Sequence, residues 1–260
     1  MRKFADVVIR MQQNSNYILL YPSQINWEEF AQQKVDEPFS DSVIEYLNAL
    51  SSSLLKDCDS RLYPDVVTFA FFCRKANLQR LKMQLVDDKV RLGRGILFHI
   101  APGNVPVNFG YTFVAGLLAG NNNIVRISSK EFPQVDMIIK HIHELEKHSA
   151  YAEVAKRLAL VKYDRTSDAS AFFSSIANVR VIWGGDAQLQ LFVNMKYLLD
   201  HLMFVLQTDI LLLYFNRKQL WRHQIVNYQN WQRIFIMILI FLIKMHAVLR
   251  IYSFGKKSIA

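Results

Sequence analysis

The hydrophobic pattern changes its period near residue 95. Before that point, residues 27–30 and 42–55 carry apolar side chains at helical spacing, with charged residues between them. The apolar run at residues 66–72 fits a helix or a strand, because short apolar runs do not distinguish the two. We therefore predict a mainly helical N-terminal region over residues 1–90.

Short apolar segments alternate with amphipathic ones over residues 91–193. The predicted strands are residues 96–100, 123–127, 158–161 and 179–183. The predicted helices are residues 109–119, 134–148 and 167–176. Strands that alternate with helices at this spacing are typical of βαβ units. The pattern therefore predicts an α/β fold with a Rossmann-like parallel sheet.

Three of the predicted strands end in turns that could hold a ligand. The residues of interest in these turns are Pro102, Gly103, Asn104, Arg126, Ser128, Gly184, Gly185 and Asp186. Ligands of open parallel sheets bind beyond the carboxyl ends of the strands, where glycines let backbone N–H groups approach a phosphate. The same residue types are also expected in plain strand-to-helix turns. Both interpretations stay open, and neither a G-x-G-x-x-G nor a P-loop motif occurs.

The histidines and cysteines indicate no metal site. His141 and His143 are two residues apart on a predicted helix, so they point to different faces and cannot share an ion as an i, i+4 pair would. His99 lies inside a predicted strand, and we expect a hydrogen-bonded core or edge residue. Cys58 and Cys73 are too few for a disulfide framework or a cysteine-rich zinc site, and we expect both to be small buried hydrophobes.

The charge is concentrated at the C-terminal end. The 260 residues are 52% hydrophobic and 20% charged, which fits a globular protein, and the formal net charge is +9. Residues 201–260 hold eight Lys or Arg and one acidic residue, Asp209, whereas the preceding 200 residues are nearly balanced. No basic surface is therefore predicted on the α/β domain, and we expect no nucleic-acid partner. The sequence opens without a secretory signal, so we expect a cytoplasmic protein.

Four blocks of the α/β region carry a family resemblance. They read GILFHIAPGNVP at residues 95–106, AGLLAGN at 115–121, IVRISS at 124–129 and VIWGGDA at 181–187. Together they resemble the nucleotide-binding domain of the aldehyde dehydrogenase superfamily, and most closely its LuxC-type acyl-CoA reductases. The resemblance runs from about residue 85 to about residue 192.

The resemblance implies an enzyme that uses NADPH to reduce a fatty acyl-CoA or acyl-carrier thioester to an aldehyde. A cysteine thiolate would attack the thioester, and the acyl-enzyme would accept a hydride. Asn104 would donate a hydrogen bond to the developing oxyanion. Arg126 would contact the adenosine ribose and, with Ser128, a 2′-phosphate. The resemblance also implies a homo-oligomer or a complex with an acyl-transferring partner.

The resemblance also assigns the turn of the last block to the cofactor. Gly184, Gly185 and Asp186 would lie against the phosphates. The family's nucleophilic cysteine is expected downstream of these glycines, but no cysteine follows Cys73. We therefore expect this chain to lack the catalytic domain and to be inactive.

Residues 194–260 do not resemble the family, and three interpretations remain open. The first interpretation is a C-terminal membrane anchor. The apolar run at residues 234–243, however, is shorter than the roughly 20 residues that a membrane-spanning helix needs. A basic amphipathic segment on a membrane surface is the second interpretation. The third, which we favour, is a frameshifted translation of the missing catalytic half, and it predicts a poorly structured tail.

The genetic code is compatible with the frameshift interpretation. When the third base of each codon is combined with the first two of the next, Met245-His246 forces Ala and His246-Ala247 allows only Cys or Arg. The hidden frame can then read Asn-Ala-Cys-Ser-Ser-Pro, which resembles the family's nucleophile motif. The alternative to a truncated reductase is a non-catalytic α/β binding protein with a C-terminal membrane-associating segment.

Overall fold

Five parallel strands form the centre of one sheet in the part of the chain that the structure describes. The structure is a computed structural model, and it describes residues 16–85, 90–164 and 167–183 together with the backbone of strands at 202–207, 210–215 and 219–224. The strands are β1 (Ile18–Tyr21), β2 (Ile96–Ile100), β3 (Asn122–Ile127), β4 (Leu158–Lys162), β5 (Val179–Trp183), β6 (Leu202–Gln207), β7 (Ile210–Phe215) and β8 (Gln219–Gln224). Their order in the sheet is β1-β4-β3-β2-β5-β6-β7-β8. The five neighbouring strands β4, β3, β2, β5 and β6 are parallel, and β1, β7 and β8 are antiparallel to their neighbours.

Helices cover both faces of this sheet. They are α1 (Trp27–Gln32), α2 (Asp41–Lys56), α3 (Pro64–Phe72), α4 (Lys75–Leu85), α5 (Asn108–Leu118), α6 (Pro133–Glu146), α7 (Ala152–Ala155) and α8 (Ala169–Ile176). One buried apolar cluster joins α2 to α6 with one face of the sheet, and a second joins α1 and α8 with the other face. Since both faces are covered, β2 and β3 are buried along their whole length. The predicted α/β class with a Rossmann-like parallel sheet is confirmed.

The four strands predicted in the α/β region agree with the structure to within one residue at each end. The ambiguous run at residues 66–72 is part of α3, where Pro64 occupies a first-turn position that favours a helix. Gly120 follows the end of α5 with a φ of 81°, the left-handed conformation that ends helices. Helices α2, α3 and α4 share the larger apolar cluster with one face of the sheet, whereas α1 belongs to the smaller cluster on the other face.

Two features of the sheet were not predicted. Strand β1 has only four residues, too few for an alternating pattern, and it pairs antiparallel with β4. Strands β6 to β8 lie after residue 193, in the segment that we expected to be poorly structured. The apolar run at residues 211–213 lies in β7, and its length does not distinguish a strand from a helix. None of the helices among the described residues is long and apolar enough to cross a membrane.

A chain of buried polar groups fixes α5 against the sheet. His99 on β2 and Asn123 on β3 have no exposed surface, and His99 Nε2 lies 3.0 Å from Asn123 Oδ1. The Thr112 hydroxyl on α5 lies 2.7 Å from His99 Nδ1. Because Asn123 Oδ1 can only accept, His99 donates from Nε2 and accepts from Thr112 at Nδ1. The prediction that His99 is a hydrogen-bonded core residue is confirmed.

The backbone of α5 approaches this polar chain at Gly116. A Cβ atom at this position would overlap Asn123 Oδ1 and would lie 3.1 Å from His99 Nε2. Gly116 is therefore required by the close approach of helix and sheet, although glycine lowers helix propensity.

We expect Gly116→Ala to lower the free energy of unfolding by about 1–3 kcal/mol, the usual cost of overpacking. The substitution would otherwise stabilise a helix by roughly 1 kcal/mol, so the sign of the change is diagnostic. Urea denaturation of both proteins measures it. In the Asn123→Ala background the same substitution should cost less, since the overlapping amide is gone. A gain in stability from Gly116→Ala would contradict the close approach.

Burial lowers the pKa of His99 from 6.5 to about 4, against the smaller opposing effect of its hydrogen bond with Asn123. The unfolded state therefore binds a proton below pH 6.5 that the folded state does not. The contribution of the neutral, buried His99 to the free energy of unfolding is therefore fully present above pH 6.5. It is lost as the pH falls from 6.5 through about 4. In this window we expect a slope approaching about 1.4 kcal/mol per pH unit. Urea denaturation from pH 7 to pH 4.5 measures it.

The variant His99→Gln keeps a donor and an acceptor but does not titrate, so its stability should lack this slope. His148→Gln is the control, because His148 is exposed at the end of α6 and contributes nothing to the buried chain. A wild-type slope in His99→Gln would assign the pH dependence to another group.

Candidate functional site

The order of the parallel strands defines a switch point between β2 and β5. The chain runs from β2 outward through β3 to β4 and then returns to the other side of β2 as β5. The connections after β2 and β5 therefore diverge and leave a crevice at the carboxyl edge, where ligands of such sheets bind. Residues 101–107 form the first of these connections. The second begins at residue 184, outside the described residues.

The turn after β2 contacts the end of β3. The Ala101 N–H donates to the Arg126 carbonyl at 3.3 Å. A Cβ atom on Gly103 would lie 2.8 Å from Ser128 Oγ, so the turn approaches Ser128 closely. The structure thus brings Gly103 beside Ser128 and joins Ala101 to Arg126, so the turn after β2 meets the end of β3. Gly184, Gly185 and Asp186 lie outside the described residues.

Two asparagines add hydrogen-bond donors at the same edge. Asn104 is exposed, so its side-chain amide faces solvent rather than the core. Helix α5 begins at Asn108, and Val107 at its N-cap has no side chain that could cap it. Asn108 is 2% exposed, and its Nδ2 has no hydrogen-bond partner in the part of the chain that the structure describes. We did not predict Asn108 as a site residue. Its position at the start of a helix that follows a strand could have indicated it, because such helix starts bind anions.

Arg126 is buried under this edge. It is 7% exposed, its Nη2 donates to the Tyr163 carbonyl at 3.2 Å, and its Cζ lies 4.9 Å from the centre of the Tyr163 ring. The guanidinium thus supports the residue that follows β4. Tyr163 in turn shares a hydrogen bond of 2.9 Å with the Ser170 hydroxyl on α8, and burial raises the pKa of its phenol. Tyr163 is a residue of this edge that the sequence analysis missed.

The paired histidines on α6 have structural partners on opposite faces. His141 is buried, with Nε2 2.8 Å from Asp57 Oδ2 and Nδ1 2.7 Å from Ser53 Oγ. The hydrogen bond between His141 and Asp57 lowers the pKa of the Asp57 carboxyl group, and a second hydrogen bond from the Asp59 N–H lowers it further by a smaller amount. His143 lies 3.0 Å from the Leu20 carbonyl. The prediction that the two histidines point to different faces is confirmed. No group of His, Cys, Asp and Glu among the described residues is arranged to hold a metal ion.

The two cysteines lie in different environments. Cys73 ends α3, is fully buried as expected, and has its thiol pKa raised by burial. Cys58 is exposed, so the expectation that it is buried is wrong. It follows the end of α2 in a turn between Asp57 and Asp59, where the chain leaves the core.

The fold is similar to that of solved aldehyde dehydrogenase structures. The betaine aldehyde dehydrogenase of Staphylococcus aureus, solved in complex with NAD+, superposes with a TM-score of 0.53 at 9% identity, covering 70% of this chain and 40% of that chain. The glyceraldehyde-3-phosphate dehydrogenase of Methanocaldococcus jannaschii, complexed with NADP, gives a TM-score of 0.50 at 12% identity, covering 80% and 47%. The present chain therefore spans less than half the length of these proteins, and the likeness establishes the fold. No curated protein matches this chain.

A family model supplies the more specific relationship. The model of the acyl-CoA reductase (LuxC) family matches residues 30–205, well over half of the chain. The match begins in α1 and ends in β6, so it extends beyond both ends of the blocks recognised in the sequence. The chain belongs to the acyl-CoA reductase (LuxC) family.

Proposed function

We propose that this chain forms the cofactor-binding part of an NADPH-dependent acyl-CoA reductase. The substrate would be a fatty acyl thioester of coenzyme A or of a carrier protein, and the product an aldehyde. One observation carries the proposal: the turn after β2 meets the end of β3 beside the switch point of a dehydrogenase-like sheet. When bound, the reduced nicotinamide supplies the hydride for the reduction.

The residues at this edge fit a dinucleotide. Pro102 and Gly103 form a turn whose backbone is free to approach a pyrophosphate, and a side chain at Gly103 would press on Ser128. The Nδ2 of Asn108, which has no hydrogen-bond partner among the described residues, adds a donor at the start of α5. Gly184, Gly185 and Asp186 lie outside the described residues, and in this proposal they would contact the phosphates of the cofactor. Asn104 would donate its exposed amide N–H to the thioester oxygen as negative charge develops there.

The end of β3 favours a 2′-phosphorylated cofactor. Dehydrogenases that use NAD place an acidic residue near this position, where it accepts a hydrogen bond from the ribose 2′-hydroxyl. Ser128 and Ser129 directly follow β3 here, and both carry a hydroxyl in place of a carboxylate. A 2′-phosphate would meet no repulsion from them.

Arg126→Ala should lower the affinity for NADPH by about 1–3 kcal/mol, the range for charge-assisted hydrogen bonds. Arg126 holds Tyr163 at this edge through its hydrogen bond to the Tyr163 carbonyl and its contact with the ring, so the substitution removes a support of the proposed site. Fluorescence titration with NADPH measures the loss. Arg74→Ala is the matched control, since Arg74 is exposed and stacks on the Phe71 ring at the end of α3. Equal affinities of wild type and Arg126→Ala would remove Arg126 from the site.

The second part of the proposal is that this chain does not reduce acyl-CoA by itself. Reduction through an acyl-enzyme needs a thiolate within about 3 Å of a carbonyl that also meets the oxyanion donor. Cys73 is buried, and its raised pKa keeps the thiol protonated. Cys58 lies in the turn that follows α2. Neither is suited to attack a thioester held at Asn104.

The purified 260-residue chain should therefore form no aldehyde from acyl-CoA and NADPH. Gas chromatography of the products, with several acyl chain lengths supplied, measures this. The Cys58→Ser/Cys73→Ser variant is the control, and it should behave as the wild type. Aldehyde formed by the wild type and lost in this variant would show that one of the two thiols is catalytic after all.

A frame-repaired gene provides the positive counterpart. We propose that a frame change after about codon 193 produces a longer chain with a cysteine spanning the present His246 and Ala247 codons. That protein should form aldehyde from acyl-CoA. A repaired chain with Arg at this position, or a soluble one that stays inactive, would overturn the frameshift interpretation and leave the cofactor-binding proposal in place.

A further inference from the structure

A serine, a histidine and a carboxylate form a continuous line of hydrogen bonds between α2 and α6, outside the proposed cofactor site. Ser53 lies in the last turn of α2, Asp57 follows the end of that helix, and His141 faces both of them from α6. The Ser53 hydroxyl lies 2.7 Å from His141 Nδ1. His141 Nε2 lies 2.8 Å from Asp57 Oδ2. The three side chains therefore touch in the order in which serine hydrolases use them.

The carboxylate sets the direction of these hydrogen bonds. The hydrogen bond from His141 lowers the pKa of Asp57, so this carboxyl group is ionised at neutral pH and can only accept. His141 Nε2 therefore carries a hydrogen, and in the neutral imidazole Nδ1 accepts from the Ser53 hydroxyl. Serine hydrolases usually place the serine at Nε2 and the carboxylate at Nδ1. The exchange of the two nitrogens leaves the path of the proton intact.

The adjacent serine shows what the position of Ser53 adds. The Ser52 hydroxyl donates to the Asn48 carbonyl at 2.9 Å, the usual hydrogen bond of a serine within a helix. The Ser53 hydroxyl is directed to the histidine of another helix instead. Ser53 is half-buried, whereas the side chain of His141 is only 5% exposed. The hydroxyl is thus nearer to solvent than the base that would activate it.

Charged groups surround the imidazole on both sides. Glu144 Oε2 lies 3.3 Å from His141 Nδ1, so each ring nitrogen has a carboxylate close to it. Two carboxylates stabilise the imidazolium that forms when His141 takes the serine proton. The Lys140 ammonium lies 3.6 Å from Asp57 Oδ2 and favours the ionised form of that carboxylate.

We propose that Ser53, His141 and Asp57 form a hydrolytic site for activated acyl esters and thioesters. Ser53 Oγ attacks the acyl carbonyl and forms the new Oγ–C bond, while the hydroxyl proton passes to His141 Nδ1. The bond to the leaving group breaks, and the departing phenolate or thiolate takes up this proton. An acyl-serine remains. Water that gives a proton to the same nitrogen then releases the acyl group as a carboxylic acid.

The helix that holds Ser53 restricts the class of substrate. The backbone N–H groups in the last turn of α2 take part in helical hydrogen bonds, so they form no oxyanion hole for an acyl group on Ser53. The loss of one oxyanion donor lowers the rate of an enzyme by about 10²- to 10³-fold. The site is therefore suited to acyl groups with a good leaving group and not to amides. This inference does not rest on the proposed reductase function.

Hydrolysis of p-nitrophenyl butyrate and of butyryl-CoA by the full chain tests the assignment. Ser53→Ala and His141→Gln should each lower the rate by about 100-fold or more, the usual effect of removing a nucleophile or its base. Ser52→Ala is the matched control, because Ser52 is the exposed neighbour on the same helix. Cys58→Ser excludes attack by the exposed thiol beside Asp57. Both controls should stay within about twofold of the wild type.

A fluorophosphonate probe locates the nucleophile directly, because it forms a covalent bond with an activated serine and releases fluoride. Mass spectrometry of tryptic peptides should find the label on Ser53 of the wild type and not on Ser52. No label on Ser53, or hydrolysis that Ser53→Ala leaves unchanged, would overturn the proposal and make the cluster a brace between α2 and α6. Thermal melting shows whether each variant is folded, and labelling of the wild type decides the question if His141→Gln unfolds. Ser53→Ala should bind NADPH as the wild type does, so this result leaves the cofactor proposal unaffected.

Discussion

The close contact between α5 and the sheet is the constraint on which the site depends. Gly116 lets the helix backbone reach the hydrogen-bonded chain of Thr112, His99 and Asn123, which crosses from the helix to β2 and β3. Buried polar groups of this kind are costly unless every partner is in place, so they allow one position of the helix on the sheet. Because α5 is fixed in this way, its first turn and the preceding turn with Gly103 are fixed at the carboxyl edge.

The two faces of the sheet contribute differently to this edge. The face covered by α2 to α6 is a large apolar cluster, and the polar chain at His99 interrupts it at one place. The face covered by α1 and α8 is richer in aromatic rings, with Trp27, Phe172 and Phe173 packed edge-on or tilted around one another. Arg126 and Tyr163 extend this aromatic layer to the carboxyl edge. The face covered by α1 and α8 thus makes the carboxyl edge rigid, and the other face contributes the start of α5 to it.

The strands β2 to β5 were predictable because each is a buried apolar segment between clear turn residues. The approach of Gly103 to Ser128 was predictable as well, since carboxyl ends of adjacent parallel strands share an edge. Other parts depend on contacts that no local pattern encodes. Strand β1 is defined by its pairing with β4, and Tyr163 gains its role from Arg126 on another strand. The exposure of Cys58 follows from where the chain leaves α2.

Strand β1 is both the edge of the sheet and, through Ile18, one wall of a groove of about 620 Å³ that Tyr17, Lys162 and Tyr163 also line. A strand of four residues at an edge is held by few hydrogen bonds and is among the first parts of a domain to open. A ligand that touches Ile18 binds only while this strand is docked, so ligand binding and docking of the strand are thermodynamically linked. Amide hydrogens of residues 18–21 would then report occupancy of the groove, because their exchange with solvent slows when a ligand holds the strand in place.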